Sequence, residues 1–483
     1  MRWVVIGLVV LMSINFLLLI SMIFLEKKKT ENILAWMTTL TFLPIIGFVF
    51  YIVFGSGLSV RVRRMMKKKA ISERDIIRNI QGIESLEQVK VNDIYKNDIG
   101  VVALGYSFGS YPLPGNDIKI FNDSKKSYES LKEDIKNAKK LINIEYYIFA
   151  DDKTGKEFMD LLCQKAKDGV EVNLIYDSIG SRKAPRRFFR KLEKAGGRVG
   201  EFFPPFMGLR LANFKMNYRN HRKIVVIDGK IGYTGGVNIR DDHMGFDKRL
   251  KPWRDTHIRM EGAGVYGLQN IFIDDWRYCT KDSTPPKLYL ENGYFPSPEI
   301  KGDCAVQVLS SGPDGKVQKI KETYIKLITS AKNRVYIQTP YFIPDDAFVS
   351  ALRIAIKSGV DVRIMVPSVP DKRTVYLASL SYLRDMAEMG AKIYLYDGFL
   401  HSKTLLVDFN KVSIGSCNID NRSFALNFED TVLIYSKETN KEYWQAFGED
   451  IKKSKEVDAG FFKKRSWFIK MLQTIMRLFS ALF

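Results

Sequence analysis

Two short segments of the chain each carry a histidine and a lysine separated by one residue. They are His221 with Lys223 and His401 with Lys403, and aliphatic runs that predict strands follow both. Because residues i and i+2 of a strand lie on the same face, each segment should present an imidazole beside an ammonium group. This set suits metal-free phosphodiester exchange. One neutral imidazole would attack phosphorus and the other would act as general acid and base, while the lysines bind phosphate oxygens.

The two segments belong to a longer pattern that occurs twice, at an offset of 180 residues from residue 221 to residue 401. An aspartate follows each lysine, and a Gly-x-x-Asn motif follows each aspartate at the same spacing in both copies. The aspartates are Asp228 and Asp408, and the asparagines are Asn238 and Asn418. Amide groups can donate to phosphate oxygens, so we predict that the two asparagines bind the substrate phosphate.

Strand and helix patterns alternate from about residue 106 onward, which predicts an α/β fold. The segment 141–152 resembles 335–346, and a helical pattern and a second strand follow each copy. We therefore predict two similar halves, residues 106–290 and 291–460, each a mixed β-sheet flanked by helices. The boundary at 281–298 is rich in Pro, Ser and Thr and is typical of a linker.

Acidic residues near the motifs fall into two groups. Asp228 and Asp408 join the predicted catalytic set through the motif, yet their opposite strand parity and the Asp-Gly turn signal at residue 228 favour a structural role. Asp255 and Glu429 are predicted to orient the imidazoles, because a carboxylate on one ring nitrogen fixes the tautomer and raises the basicity of the other. An ordinary role as strand-end carboxylates stays open for both, less so for Glu429.

The chain has four histidines, and the two outside the motifs, His243 and His257, have no counterpart in the second half. We predict that they are local or supporting residues. A metal site would need more ligands of this type placed together, so neither a metal nor a cofactor is predicted. The four cysteines lie far apart without a Cys-x-x-Cys pair, which predicts reduced thiols in a reducing compartment.

Residues 1–55 are predicted to form a two-helix transmembrane hairpin. The apolar runs 3–25 and 33–54 are each long enough to cross a bilayer as a helix, and Pro44 is tolerable because membrane helices accept proline. A cleaved signal peptide is the alternative for the first run, but that run is too long and a second one follows. The basic run 61–69, in a predicted juxtamembrane linker 56–105, favours cytoplasmic termini and a cytoplasmic catalytic region.

The C-terminal segment 461–483 is predicted to be an amphipathic helix at the membrane interface, and a helix packed on the catalytic core is the alternative. Its polar residues recur every three or four positions as one stripe: Lys463, Ser466, Lys470, Gln473, Arg477 and Ser480. The formal net charge of +21 indicates an anionic partner. Charge alone does not distinguish nucleic acid, an acidic lipid surface and a phosphate-bearing substrate.

The duplicated pattern resembles the phospholipase D superfamily, whose motif reads H-x-K-x4-D-x6-G-[GS]-x-N. The membrane hairpin and several segments resemble the bacterial cardiolipin synthases within it: residues 220–228, 253–257, 310–313, 339–344 and 399–403. The resemblance covers nearly the whole chain. It implies two phospholipase D-like halves, with a phosphohistidine formed on His221 and with His401 as acid and base. Cys417 departs from the family, which more often has Ala or Thr at that position.

The implied reaction joins two phosphatidylglycerol molecules into cardiolipin and releases glycerol. The expected partners are phosphatidylglycerol and the anionic lipids of a bacterial cell membrane, without nucleic acid, and a homo-oligomer is left open. Two alternatives also stay open, a membrane-tethered hydrolase or nuclease that uses water as acceptor and a non-catalytic scaffold. The membrane elements disfavour a nuclease, and the intact His and Lys in both copies disfavour a scaffold.

Overall fold

The computed structural model describes residues 2–24, 30–51, 91–204, 217–282, 284, 286–478 and 480. The chain divides into two compact units, Met1–Met65 with Phe203–Tyr218 and Met66–Phe202 with Arg219–Phe483. The predicted basic run 61–69 lies outside the described residues.

The described part of the first unit contains helices α1 (Arg2–Phe24), α2 (Thr30–Phe42) and α3 (Pro44–Phe50). The sequence predicts one continuous second helix, but the helix breaks at Leu43, whose φ of −129° and ψ of 65° are not helical. Pro44 causes the break because proline lacks an N–H and clashes with the carbonyl one turn earlier. Within the fully described residues, no helix is both long and apolar enough to span a membrane. The transmembrane hairpin stays a prediction.

The second unit alternates strands and helices. Its helices are α4 (Val91–Ser107), α5 (Ser124–Asn137), α6 (Lys153–Lys167), α7 (Arg186–Lys194), α8 (Val265–Thr280), α9 (Pro286–Glu291), α10 (Lys319–Ser330), α11 (Asp346–Lys357), α12 (Arg373–Met389), α13 (Asn421–Ala425), α14 (Lys437–Lys452), α15 (Ala459–Lys463) and α16 (Trp467–Leu478). Its strands are β1 (Leu113–Phe121), β2 (Leu141–Tyr146), β3 (Glu171–Asp177), β4 (Arg198–Phe202), β5 (Arg219–Asn220), β6 (Lys223–Ile227), β7 (Ile231–Gly235), β8 (Trp253–Arg254), β9 (His257–Glu261), β10 (Cys304–Ser311), β11 (Arg334–Gln338), β12 (Phe342–Ile343), β13 (Asp361–Pro367), β14 (Lys392–Tyr396), β15 (Phe399–Leu400), β16 (Thr404–Val407), β17 (Lys411–Gly415), β18 (Ile419–Asp420), β19 (Asn427–Tyr435) and β20 (Ser454–Val457).

Within the described residues, 16 strands form one sheet that runs through both halves. The first half has the strand order β1-β9-β7-β6-β2-β3-β4, and the second repeats it as β10-β19-β17-β16-β11-β13-β14, with β20 at the edge. The halves join where β1 and β10 pair antiparallel, with Leu113 opposite Val306. Parallel pairs such as β2 with β3 adjoin antiparallel pairs such as β2 with β6. The predicted α/β fold of two similar halves with mixed sheets is confirmed.

The structural register of the repeat differs by one residue from the sequence match of 141–152 with 335–346. Ile142 lies opposite Ile227, and Val335 lies opposite Val407, so Ile142 and Val335 are equivalent. A shift of one residue along a strand turns every side chain to the other face. The structural register therefore gives each copy the same set of core-facing positions, which the sequence match misses.

Each half has its own apolar core between the sheet and the helices. Buried side chains such as Ile144 and Phe158 fill the first, and Ile337 and Leu352 fill the second. β6 and β16 are buried along their whole length, and their aliphatic runs 224–227 and 405–407 contribute apolar side chains to both faces of the sheet. The predicted linker 281–298 contains α9, and its Tyr294 packs in a buried cluster with residues of the first half.

Candidate active site

Each motif histidine follows a two-residue strand that pairs with a strand of the opposite half. β5 runs parallel to β19, and β15 runs parallel to β8. The pairing continues one residue further, because the His221 N–H donates to the Phe428 carbonyl at 2.9 Å and the His401 N–H donates to the Arg254 carbonyl at 2.7 Å. Each imidazole is thereby brought beside the acidic residue that follows the accepting carbonyl.

The carboxylates meet the imidazoles in a crossed arrangement. Both carboxylate oxygens of Glu429, in the second half, lie 3.0 Å from Nδ1 of His221 in the first. Asp255 Oδ2, in the first half, lies 2.7 Å from Nδ1 of His401 in the second. With Nδ1–H donating to a carboxylate, each ring keeps the Nε2 lone pair for chemistry. Sequence reasoning selected all four residues but did not pair them across the halves.

The motif lysines lie beside their histidines, as the strand parity predicts. Lys223 and Lys403 are buried, and the Nζ of each donates to the carbonyl of the histidine two residues earlier. Burial lowers the pKa of Lys223 to about 8, against the pull of nearby carboxylates. Burial also lowers the pKa of Lys403 to about 7, where the Lys223 charge adds to the effect. Two cations are thus held close together, where an anion would stabilise both.

Burial, together with the adjacent lysine charges, lowers the pKa of His221 to about 4, although Glu429 acts to raise it. Burial likewise holds the pKa of His401 well below its ordinary value, with Lys403 acting in the same direction. Burial also acts to raise the pKa of the two carboxyls, but the histidines and lysines keep the pKa of Asp255 and Glu429 below its usual range. Near pH 7 the site therefore combines neutral imidazoles and carboxylates with two lysines whose pKa values lie at about 8 and about 7.

The two carboxylates have different supporting residues. Ser416 Oγ donates to Glu429 Oε2 at 2.5 Å, and Asn427 Nδ2 donates to Oε1 at 3.0 Å. Asp255 has instead the imidazole of His243, whose Nδ1 lies 3.4 Å from Oδ2. Sequence reasoning missed Ser416, although the Gly-[GS]-x-Asn motif already marked its position.

The asparagines of that motif differ in their contacts. Asn238 Oδ1 accepts from the Ile148 N–H at 3.2 Å, and its Nδ2 lies 3.3 Å from His243 Nε2. Asn418 is also buried, and its Oδ1 has no hydrogen-bond partner within the described part of the chain. Phosphate binding by both asparagines stays a prediction.

Asp228 and Asp408 lie in turns at the far end of β6 and β16 from the motif lysines. Asp228 adopts a φ of 52°, and its carboxylate accepts from the N–H groups of Lys139, Lys140 and Leu141 at 2.8–2.9 Å. Asp408, with a φ of 49°, caps the equivalent amides of the second half. Five residue steps along extended chain, about 16 Å, separate each aspartate from its lysine. These contacts favour the structural role that the turn signal indicates, and membership of the catalytic set stays a prediction.

The two remaining histidines are buried on the first-half side of the site. His257 packs near the Tyr233 ring, and burial lowers its pKa to about 3. Among the described residues, His243, Asp255 and His401 form a group whose ligand atoms lie within 4.8 Å of one another, so these residues could hold a metal ion. A metal there would replace the hydrogen bond between His401 and Asp255.

A cavity of about 580 Å³ opens beside α8 and the residues that follow β10, with Arg222 in its wall. Arg222 lies between His221 and Lys223, in the connection from β5 to β6, and its side chain points away from theirs. There it pairs with Asp275 and donates to Ser310. No motif histidine or lysine lines this cavity, which is therefore separate from the site described above.

The family model described as "Cardiolipin synthase, PLD-like domain" matches residues 131–249 and 324–451. A second model, described as "Phospholipase D-nuclease N-terminal", matches residues 13–56. Among curated relatives, a cardiolipin synthase of Listeria monocytogenes serotype 4a (strain HCC23) is 41% identical and is covered over 98% of each chain. The major cardiolipin synthase of Bacillus subtilis (strain 168) is 39% identical over 97% of each chain.

Among solved structures, the phosphatidylserine synthase of Haemophilus influenzae Rd KW20 aligns with a TM-score of 0.62 at 16% identity. The alignment covers 80% of this chain and 100% of that one. At this identity the likeness establishes the fold of the two halves alone.

Proposed function

Because the chain belongs to the family of cardiolipin synthases with phospholipase D-like domains, we infer that it transfers a phosphatidyl group from one phosphatidylglycerol molecule to another and releases glycerol. It is a phosphatidyltransferase, and the family resemblance predicted from its paired motifs is confirmed. How its residues share the work is our proposal.

In the first step, Nε2 of His221 attacks phosphorus. A P–N bond forms, and the P–O bond to the glycerol headgroup breaks. His401 in its imidazolium form donates its proton to the departing oxygen, so glycerol leaves neutral. Glu429 on Nδ1 stabilises the positive charge that develops on His221 at 3.0 Å.

In the second step, neutral His401 takes the proton from a glycerol hydroxyl of the second phosphatidylglycerol. The oxygen of that hydroxyl attacks phosphorus, the P–N bond breaks, and cardiolipin leaves with His401 protonated again. The bound phosphodiester supports this cycle electrostatically, because a nearby negative charge raises the pKa of an imidazole. That rise offsets the low pKa that burial gives His401.

Lys223 and Lys403 hold the non-bridging phosphate oxygens, and Asn238 and Asn418 assist them as amide donors. The electrostatics support this assignment. The phosphate would restore the pKa of two lysines that burial lowers to about 8 and about 7, and so would keep both cationic.

The crossed pairs of His221 with Glu429 and His401 with Asp255 are the single observation that carries this proposal. Each histidine depends on the other half for its carboxylate, so the two motifs act as one centre. One chain supplies every proposed catalytic group, and the chemistry therefore does not require a homo-oligomer.

The enzyme is membrane-associated, as its relatives suggest. We propose further that residues 1–55 form a transmembrane hairpin with both ends and the catalytic unit on the cytoplasmic side. The apolar runs 3–25 and 33–54 support this, as does the N-terminal family match at residues 13–56.

The test uses purified full-length protein with phosphatidylglycerol micelles, a chelator and no nucleotide. Cardiolipin and glycerol in equal amounts are expected. Phosphatidic acid as the only lipid product would instead indicate a hydrolase, and a requirement for CDP-diacylglycerol or a divalent metal would overturn the mechanism. His221→Ala and His401→Ala should each abolish turnover, and substantial activity in either would contradict the paired-histidine scheme.

A further inference from the structure

The C-terminal helix α16 turns its polar stripe toward the protein. Gln473 is 1% exposed, and the Arg477 guanidinium pairs with Asp385 and lies 4.2 Å from the Tyr382 ring. Ser480 Oγ lies 3.3 Å from the Tyr382 hydroxyl. The later part of the polar stripe, from Gln473 to Ser480, therefore faces the protein, and its contacts with Tyr382 and Asp385 are on α12.

Four large apolar side chains of α16 point away from the protein, whereas Met476 packs against the core of the second half. Trp467, Phe468, Ile475 and Leu478 are 74%, 56%, 36% and 78% exposed. At about 100° per residue, these four positions fall within one arc of about 100° on the helix. A row of large apolar side chains exposed on a protein surface is typical of a site that binds a membrane or another protein.

The environment of this apolar stripe suits an anionic bilayer. Lys463 and Lys464 are exposed just before α16, and basic residues beside an apolar helix face favour acidic headgroups. Burial raises the pKa of Tyr376, in the first turn of α12, and the positive charge of Arg465 acts to lower it. Arg465, just before α16, therefore lies near Tyr376. The aromatic end of α16 and the start of α12 are therefore neighbours.

The start of α12 in turn borders the catalytic centre. Asp371 precedes α12 and accepts a hydrogen bond from the Tyr341 hydroxyl at 2.5 Å. Its negative charge acts to raise the pKa of Lys403, which burial lowers, so Asp371 lies near that lysine. The aromatic end of α16 thus lies on the side of the catalytic unit that leads to the lysines.

We propose that the outward stripe of Trp467, Phe468, Ile475 and Leu478 inserts into the interface of an anionic bilayer and holds the catalytic unit against the lipid headgroups. Polar contacts anchor α16 to the enzyme, and its apolar side chains anchor the enzyme to lipid. This inference rests on the proposed lipid substrate and adds the surface through which the enzyme meets it.

Depth can be measured with a fluorophore on Leu478→Cys in full-length protein reconstituted into phosphatidylglycerol-containing vesicles. Quencher-bearing lipids should quench it severalfold more than the same fluorophore on Ile354→Cys, an exposed apolar position on α11. Equal, weak quenching at both positions would overturn the proposal.

Activity provides a second test, with Trp467→Ser combined with Leu478→Ser. Turnover on vesicles should fall about tenfold, while turnover on monomeric short-chain phosphatidylglycerol stays unchanged and reports an intact fold. Unchanged turnover on vesicles would contradict the docking role. Wild-type protein that is inactive on both substrates would contradict the proposed function instead.

A separate observation concerns the support of Asp255. Ser416 supports Glu429 in the second half, but Gly236 occupies the corresponding place in the first. A Cβ at Gly236 would lie 1.9 Å from Asp255 Oδ1, so no serine fits there without a shift of the carboxylate. His243 fills the role from another direction, with Nδ1 3.4 Å from Asp255 Oδ2.

His243 is itself firmly held. It is 4% exposed, its ring packs 4.3 Å from that of Trp253, and its Nε2 lies 3.3 Å from Asn238 Nδ2. His243 thereby links Asn238, whose amide is predicted to bind phosphate, with Asp255, the carboxylate that orients His401. We infer that His243 is a positioning residue for His401. His243 acts by holding Asp255, as Ser416 holds Glu429 in the second half.

The test compares His243→Phe, which keeps a flat ring, with His243→Gln, which keeps a hydrogen-bonding group. The first should lower kcat about tenfold with KM within twofold, and the second should restore most of that loss. Equal kcat values for wild type and both variants would overturn the inference, as would equal losses in both. Because His401→Ala tests the proposed function by itself, the two failures are distinguishable.

Discussion

The crossed carboxylates predict a specific defect in the variant Glu429→Gln. Glutamine keeps the size of the side chain but removes the charge 3.0 Å from Nδ1 of His221. At an effective dielectric constant of about 20, unit charges at that distance interact by about 5 kcal/mol. Because only part of a unit charge develops on the imidazole in the transition state, we expect a loss of about 10³-fold in kcat.

The assay that isolates this loss uses an aryl phosphodiester that releases p-nitrophenolate. This leaving group departs without a proton, so the first burst of product needs the nucleophile and its carboxylate but not the general acid. Glu429→Gln should lose the burst together with His221→Ala. Asp255→Asn and His401→Ala should keep the burst and lose the turnover that follows it, because release of the phosphohistidine still needs His401 as general base.

The refuting result is a different grouping of the same four variants. If Glu429→Gln behaves like His401→Ala, or Asp255→Asn like His221→Ala, then each carboxylate serves its own half and the crossed pairing is wrong. Far-ultraviolet circular dichroism and a thermal melt of each variant verify that the fold is retained.

Three further outcomes are expected. Asp228→Asn should lower the free energy of unfolding by about 1.5–3 kcal/mol, because it weakens charged hydrogen bonds to three backbone amides, with kcat within twofold; a denaturant titration and an activity assay measure both. In the pH profile of kcat/KM, activity should fall as pH rises through about 7, where Lys403 loses its proton, and Lys403→Arg should move this limb up to about 8, where Lys223 loses its proton; an unmoved limb would exclude Lys403 as its origin. Added Zn²⁺ should inhibit by binding His243, Asp255 and His401, a chelator should restore activity, and His243→Phe should be less sensitive; equal inhibition of the variant would place the zinc elsewhere.

Local rules predicted the parts of the site that depend on local geometry. Strand parity brings Lys223 beside His221, and the Asp-Gly signal at residue 228 correctly indicates a turn. The crossing of Asp255 and Glu429 could not be predicted in this way. It depends on β5 and β15, strands of two residues that no periodicity reveals and that form only against the opposite half.

The orientation of α16 is unpredictable from its own sequence for a similar reason. A polar stripe usually faces water, but here Asp385 and Tyr382 on α12 provide partners for it. The periodicity defines two faces of the helix, and only the surface against which it packs decides which one is buried. The break at Leu43 has a local cause instead, because Pro44 interrupts the helix within a uniformly apolar segment.

Each half supplies the carboxylate that contacts the histidine of the other half, and this arrangement affects how the sequences of the two halves can diverge. In a symmetric dimer of one such half, any substitution beside the carboxylate would alter the nucleophilic and the proton-transferring centre together. Joined in a single chain, the copies escape that constraint. Gly236 with His243 on one side and Ser416 with Asn427 on the other illustrate the result, since each half now adjusts the histidine of its twin independently. Duplication thus freed the two imidazoles to specialise while it kept them inseparable.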